Sequence, residues 1–248
     1  MKIKYGLIGY PLTHSFSKDF FTDKFSVEKT DAEYLNFEIS DIGLLPEIIA
    51  NNPELKGLNV TIPYKEQVLH YLDKIDQAAA EIKAVNTIRI SRNDNVPFLE
   101  GFNTDLIGFR DSIKPLLQKH HRKALILGSG GASKAIIKVL ADLGIETIIV
   151  SRNPQYKGEI SYDDLDEGVM ESYKVIVNCT PVGTYPMIEG CPPIPYEYID
   201  EQHLLYDLVY NPPVTEFLKQ GQLKGATTKN GLEMLHLQAL ASWEIWNQ

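Results

Sequence analysis

Short apolar runs alternate with stretches of helical periodicity along the first hundred residues. "KIKYGLIG" near the start reads as a strand, and "YLNFEI", "GLNVTI", "VNTIRI" and "VPFLEGF" read as four more. Between them, "SFSKDFFTDKF" sets Phe16, Phe20, Phe21 and Phe25 on one helical face, and "DIGLLPEIIANN" and "YKEQVLHYLDKI" also read as helices. A further helix, "NTDLIGFRDSIKPLLQ", runs into the basic stretch "KHHRK", which reads as a solvated linker. Next comes "KALILGSGGASKAIIKVLADLGIETIIVSRN", a strand, glycine-rich turn, helix and strand of the size of one βαβ unit. "YKVIVNCT" and "HLLYDLVY" are almost continuously apolar, as buried parallel strands are, and "GLEMLHLQALASWEIW" reads as a closing helix. The alternation predicts an α/β protein. The expected division is a first domain of residues 1–104, completed by a helix over 232–248, and a Rossmann-type domain of residues 105–231.

Composition narrows the class. With 248 residues, 44% hydrophobic and 23% charged, the chain has enough apolar surface for one or two packed domains. A formal net charge of −9 argues against nucleic acid as a partner, which calls for basic patches. No apolar run approaches the length of a membrane span, and the N-terminal stretch is too interrupted by Gly and Pro for a signal peptide. Two cysteines, Cys179 and Cys191, form no ligand-like cluster and fit a reducing compartment. The expectation is a cytoplasmic protein acting on a small molecule without a metal.

The glycine turn carries the first candidate chemistry. In "GSGGAS", Gly128 allows a tight turn after a strand, and Gly130 lets the backbone approach a pyrophosphate at a helix N-terminus. The third fingerprint position is Ser133, small enough for close packing. An NAD site would place a carboxylate at the end of the next strand to accept from the ribose 2′-hydroxyl. Here stand Ser151, Arg152 and Asn153, with Lys157 nearby; cations attract a 2′-phosphate, so the expected cofactor is NADP.

In "NVTIPYKE", Pro63 at a first helical position would put Lys65 near the positive end of a helix dipole, which disfavours an ammonium. That suits a proton acceptor for a substrate hydroxyl; a surface lysine with its stem on apolar neighbours is the plain alternative. Asp105 in "NTDLIG" has the place of a helix cap and of a carboxylate that bonds a substrate hydroxyl. Ser15 and Ser17 open the first helix, where their hydroxyls suit either capping or the binding of a carboxylate.

Taken together these motifs resemble the shikimate dehydrogenase family along nearly the whole chain. "GYPLTHSFS", "NVTIPYKE", "AVNT", "NTDLIG", "GSGGAS", "SRN" and "NGLEMLHLQA" stand in the family's order and spacing. The resemblance implies two α/β domains around a cleft, the first binding substrate and the second NADP. It implies that Lys65 and Asp105 form the catalytic pair at the 4-hydroxyl of shikimate. Ser15, Ser17 and Tyr210 would hold the carboxylate, and Thr61, Asn86 and Gln238 the ring hydroxyls. Gly128, Ser129, Gly130, Gly131, Ala132, Arg152, Asn153, Thr180, Leu208 and Gly231 would face the cofactor. The implied reaction is reduction of 3-dehydroshikimate by NADPH, on the route to chorismate and aromatic amino acids, by a monomer or homodimer.

The sequence departs from the family's pattern at Lys18, at Asn153 and Lys157 of the phosphate clamp, and at Gln77. Quinate/shikimate dehydrogenases that prefer NAD tend to carry serine at the position of Thr61 and aspartate near Asn153, and this chain has neither. An aminoshikimate-type dehydrogenase shares most of the site. A silent NADP-binding module would be expected to lose Lys65 or Asp105, and both are present.

Overall fold

A computed structural model describes residues 2–12 and 16–248. The chain divides into two compact units, Met1–Thr104 with Ala239–Gln248, and Asp105–Gln238.

The first unit contains β1 (Ile3–Gly9), α1 (Phe16–Glu28), β2 (Ala32–Glu38), α2 (Leu45–Asn51), β3 (Leu55–Val60), β4 (Lys74–Ile75), α3 (Gln77–Ile82), β5 (Thr87–Asn93) and β6 (Val96–Phe102). Its sheet has the order β2-β1-β3-β5-β6-β4. The β1 strand lies parallel to β2 and β3, while β5 is antiparallel to β3 and β6. The hairpin between β5 and β6 turns on Asp94 and Asn95, whose φ values of 49° and 66° suit a two-residue turn that follows the strand twist. Successive side chains of β1 serve opposite faces. Ile8 packs with Leu45, Leu55 and Val68, whereas Tyr5 and Leu7 pack with Phe21, Phe25, Tyr34 and Trp246.

One expected helix is absent. Residues 64–75 form turns, a 3-10 segment over Gln67–Tyr71 and then β4. Tertiary pairing overrides the helical spacing there. The outer edge of β6 offers its carbonyls to the chain, and Asp73 and Asp76 donate their N–H groups to Leu99 and Gly101 at 2.9 and 2.8 Å. The apolar spacing is still used, since Tyr64 and Val68 are buried at 3% and 0% exposure.

The second unit contains α4 (Asp105–Ile113), β7 (Lys123–Leu127), α5 (Gly131–Asp142), β8 (Glu146–Val150), β9 (Glu159–Ile160), α6 (Glu167–Ser172), β10 (Val175–Asn178), β11 (Leu204–Asp207), α7 (Glu216–Leu223) and β12 (Thr227–Lys229). The last helix, α8 (Leu232–Trp246), starts in this unit and ends in the first. Pro115, which has no N–H to donate, follows the end of α4 in a 3-10 turn, so the helix is shorter than its apolar pattern. All pairings in the second sheet are parallel, in the order β12-β11-β10-β7-β8-β9. That is the doubly wound Rossmann order, with its switch point between β7 and β10.

The stretch "KHHRK" is solvated at Lys119, His120 and Arg122, as expected, but not at His121. His121 is buried at 4% exposure. Its Nδ1 accepts from Gln118 N–H and its Nε2 lies 3.0 Å from Gln202 O, so the ring is a neutral Nε2 donor whose pKa burial pushes down. The helix expected whole in the first domain is divided as well. Gly108 of α4 lies so close to α8 that an added Cβ would meet Met234 O at 2.5 Å and Gln238 Cβ at 3.1 Å. This contact keeps residues 232–238 with the second unit.

Candidate active site

The cofactor half forms where β7 and β10 diverge. Gly128 follows β7 with φ at +98°, and its N–H donates to Val150 O at 2.9 Å. A Cβ there would lie 2.8 Å from Thr180 Cγ2, so both conformation and space demand glycine. Gly130 caps α5, and at Gly130 and Gly131 an added Cβ would meet nothing within 4 Å. The open backbone at this helix start fits a pyrophosphate. Ser133 is 2% exposed and its hydroxyl donates to Gly130 O at 2.6 Å, so the third fingerprint position locks the turn.

A cavity of about 470 Å³ opens here, lined by Gly128, Ser129 and Gly130, by Ser151, Arg152 and Asn153, and by Thr180 among others. It lies at the carboxyl ends of β7, β8 and β10, where ligands of doubly wound sheets bind. Gly131 and Ala132 stand beyond that lining on the first turn of α5, and Lys157 stands in the exposed loop before β9. Leu208 and Gly231 meet each other: a Cβ on Gly231 would fall 2.2 Å from Leu208 O. The open glycine turn and the guanidinium of Arg152 on the cavity wall therefore fit the anionic groups of NADP.

Thr180 is held by a buried chain of hydrogen bonds. Asn178 Oδ1 accepts from Thr180 N–H at 3.0 Å and from its hydroxyl at 2.6 Å. Asn178 Nδ2 donates to Asp207 Oδ1 at 2.9 Å, and Asp207 Oδ2 accepts from Thr215 at 2.5 Å. Burial pushes the Asp207 carboxyl up to about 6 despite its three donors, Thr215, Val209 N–H and Asn178.

A second polar network lies inside the first unit. The Ser17 side chain bonds Tyr34, whose hydroxyl donates to Asn59 Oδ1 at 2.7 Å. Asn59 Nδ2 reaches Thr87 Oγ1 and Ser242 Oγ at 3.2 and 3.0 Å. Thr87 also meets Thr104, and Asn86 Oδ1 accepts from Thr104 N–H at 2.7 Å. Asn86, 3% exposed, thus fixes the residue that precedes Asp105. Two of the expected substrate residues, Ser17 and Asn86, belong to one continuous chain.

Thr61 packs its Cγ2 against Gly9, where a Cβ would come within 2.4 Å, and its N–H donates to Ile8 O. Lys65 is half-buried in the turn after Pro63, and its carbonyl accepts from Val85 N–H at 2.8 Å. No α-helix begins there, so the expected dipole argument for its placement does not hold; position comes instead from the pinned turn. Asp105 is the first residue of α4 and is 9% exposed. Gln238 donates Nε2 to Leu235 O at 3.0 Å within α8, and Tyr210 is 39% exposed. Ser15 lies outside the described residues.

Residue patterns alone did not single out Tyr34, Asn59, Thr87, Asn178, Asp207, Thr215 or Ser242. A usable signal existed for two: Asn59 in "GLNV" and Asn178 in "VIVN" are single amides inside otherwise apolar strands, and such a buried amide must find partners.

The sheet order and the open glycine turn define a dinucleotide-binding protein of the Rossmann class. Comparison with known proteins narrows this. Residues 7–88 match the model of the shikimate dehydrogenase substrate binding domain. The NADP(+) shikimate dehydrogenase of Methanosphaera stadtmanae is 35% identical, over 97% of this chain and 90% of its own. A chorismate mutase/shikimate 5-dehydrogenase fusion protein from Clostridium acetobutylicum superposes with a TM-score of 0.86 at 37% identity, covering 100% of this chain and 92% of that one. The Thermus thermophilus shikimate 5-dehydrogenase, solved with NADP(H) and shikimate, gives a TM-score of 0.83 at 28% identity, over 98% of this chain and 93% of that one. The chain belongs to the shikimate dehydrogenase family.

Proposed function

We propose that the chain reduces 3-dehydroshikimate reversibly to shikimate with NADPH. The observation that carries this reading is the cavity at the strand switch point, bounded on one side by the open glycine turn and on the other by Arg152. NADPH, when bound, supplies the hydride for the substrate carbonyl carbon. Lys65 delivers the proton to the oxygen that becomes a hydroxyl and takes it back in the reverse direction. Asp105 hydrogen-bonds the same substrate and fixes its orientation. Ser15, Ser17 and Tyr210 hold the carboxylate, and Thr61, Asn86 and Gln238 hold the ring hydroxyls. Gly128 to Ala132 cradle the phosphates, Arg152, Asn153 and Lys157 hold the 2′-phosphate, and Thr180, Leu208 and Gly231 bound the nicotinamide. The protein works in the cytoplasm as a monomer or homodimer.

Initial rates crossing shikimate and quinate with NADP and NAD test the reaction, and turnover is expected to be dominated by shikimate with NADP. Comparable rates with quinate or NAD would overturn the specificity, and silence in all four would overturn the activity.

A second prediction isolates the clamp. Arg152→Ala removes a charge-assisted contact, and KM for NADP is expected to rise roughly 10- to 100-fold while KM for NAD stays put. An equal rise for both cofactors would show that Arg152 does not read the 2′-phosphate.

The Ser17–Asn86 network gives a third. Thr87→Val leaves Asn59 and Thr104 short of a partner and is expected to cost about 1–3 kcal/mol in denaturant unfolding. An unchanged midpoint would mean the chain of bonds repairs itself.

A further inference from the structure

We propose that Asp207 is a positioning residue for NADP, tying the loop that carries Thr180 to the turn that carries Leu208. The inference rests on the reading that these two residues face the cofactor.

Asp207 ends β11, beside the end of β10, with 0% of its surface exposed. One oxygen accepts from Asn178 Nδ2 at 2.9 Å and from Val209 N–H at 3.0 Å. The other accepts the Thr215 hydroxyl, which caps α7. Each bond has a local consequence. Asn178, held from one side by Asp207, accepts from the N–H and hydroxyl of Thr180 with its other atom. Val209, held by the same carboxylate, closes the turn containing Leu208, and its carbonyl takes Gly231 N–H at 3.2 Å. A single carboxylate thereby fixes the ends of two adjacent strands at the edge of the sheet where the cofactor binds.

A buried carboxylate held only by neutral donors needs a reason, because desolvation disfavours its charge. The groups bonded to it are an amide, a backbone N–H and a hydroxyl. The nearby ionisable groups that its charge affects, Cys179 beyond β10 and Tyr196, are both pushed toward their neutral forms by burial first and by Asp207 as well. The lysines on the elements alongside are engaged elsewhere, Lys229 of β12 with Glu233 and Lys219 of α7 with Glu216. An asparagine of the same shape would give a neutral link. What the carboxylate adds is charge-assisted hydrogen bonds of about twice the strength, so Thr180 and Leu208 are held more firmly when Asp207 is ionised.

The test measures NADP Kd by fluorescence titration, and KM and kcat for the full chain, in Asp207→Ala, Asp207→Asn and Asn178→Ala. Asp207→Ala and Asn178→Ala are expected to raise Kd and KM for NADP about tenfold while kcat changes less than about threefold. Asp207→Asn, which keeps the link, is expected to recover most of the affinity, and with Asn178→Ala it carries the test if the alanine variant at 207 fails to fold. The 2′-phosphate titrates near the same pH as Asp207, so the decisive quantity is the ratio of wild-type to Asp207→Asn affinity. That ratio should favour wild type by about threefold at about pH 8 and fall to one below about pH 5. A ratio flat across this range, or unchanged Kd in both alanine variants, would overturn the proposal. Arg152→Ala separates the two levels: if it leaves NADP Kd unchanged, the reading of the cofactor site fails, whereas its success beside a silent Asp207→Ala sinks the positioning role alone.

Discussion

Lys65→Ala is expected to lower kcat roughly a thousandfold while leaving shikimate binding and the fold nearly intact. The size follows from the role, since a positioned proton donor contributes about 10²- to 10⁴-fold. The tolerance follows from the structure. Tyr64, the neighbour on one side, is 3% exposed and its hydroxyl donates to Ile39 O at 2.5 Å. The Lys65 carbonyl is taken by Val85 N–H, and Val68 N–H closes on Tyr64 O at 2.9 Å. All three anchors survive truncation of the lysine side chain, so unfolding free energy should move by about 0.5 kcal/mol or less. Turnover near the wild-type rate in a folded, shikimate-binding variant would remove Lys65 from the chemistry. Loss of the fold would instead make it structural.

Trp246→Ala is expected to cost about 3–5 kcal/mol of stability, enough to unfold a marginal domain outright. The ring is 7% exposed, stacks on Tyr5 at 4.8 Å between centroids and lies 5.2 Å from Phe21. Its Nε1 donates to Ile88 O at 3.0 Å. Opposite it stands Gly57, where a Cβ would reach the indole at 2.3 Å; the strand is hollowed to receive this one side chain. Alanine would leave a cavity that no neighbouring glycine fills and a carbonyl with one donor fewer. Urea unfolding read separately by tryptophan fluorescence and circular dichroism measures the effect. An unchanged midpoint would mean that the surrounding aromatics collapse into the gap.

Much of this architecture could be read from the chain because local preference and tertiary demand agree. In β1, β7, β10 and β11 the apolar runs coincide with strands buried on both faces, and Gly128 sits where a positive φ and a close neighbour both require it. They disagree after Pro63. The segment there carries a helical pattern, but the open edge of β6 captures Asp73 and Asp76, a partner about 25 residues away that no local window registers. Lys65 therefore sits in a turn pinned by Tyr64 and Val85 and not at a helix start, so a dipole argument does not explain its position. The supporting polar residues were the least visible. Asn59 joins Tyr34 to Ser242, and Asp207 joins Asn178 to Thr215, through contacts spanning up to 183 positions of sequence. Reading them requires the fold first, because each is an ordinary polar residue until its partners are known.

The division of α8 also has a consequence for the order in which the protein is made. Residues 239–248 complete the unit that begins with β1, and the whole second unit is encoded between the two. During synthesis, Tyr5, Phe21 and Gly57 emerge long before Trp246, so the half translated first waits with an open aromatic face. Residues 105–238 have no such wait: their sheet and helices are all available before residue 239 is added. The unit made second is therefore able to fold before residues 239–248 arrive to complete the unit made first.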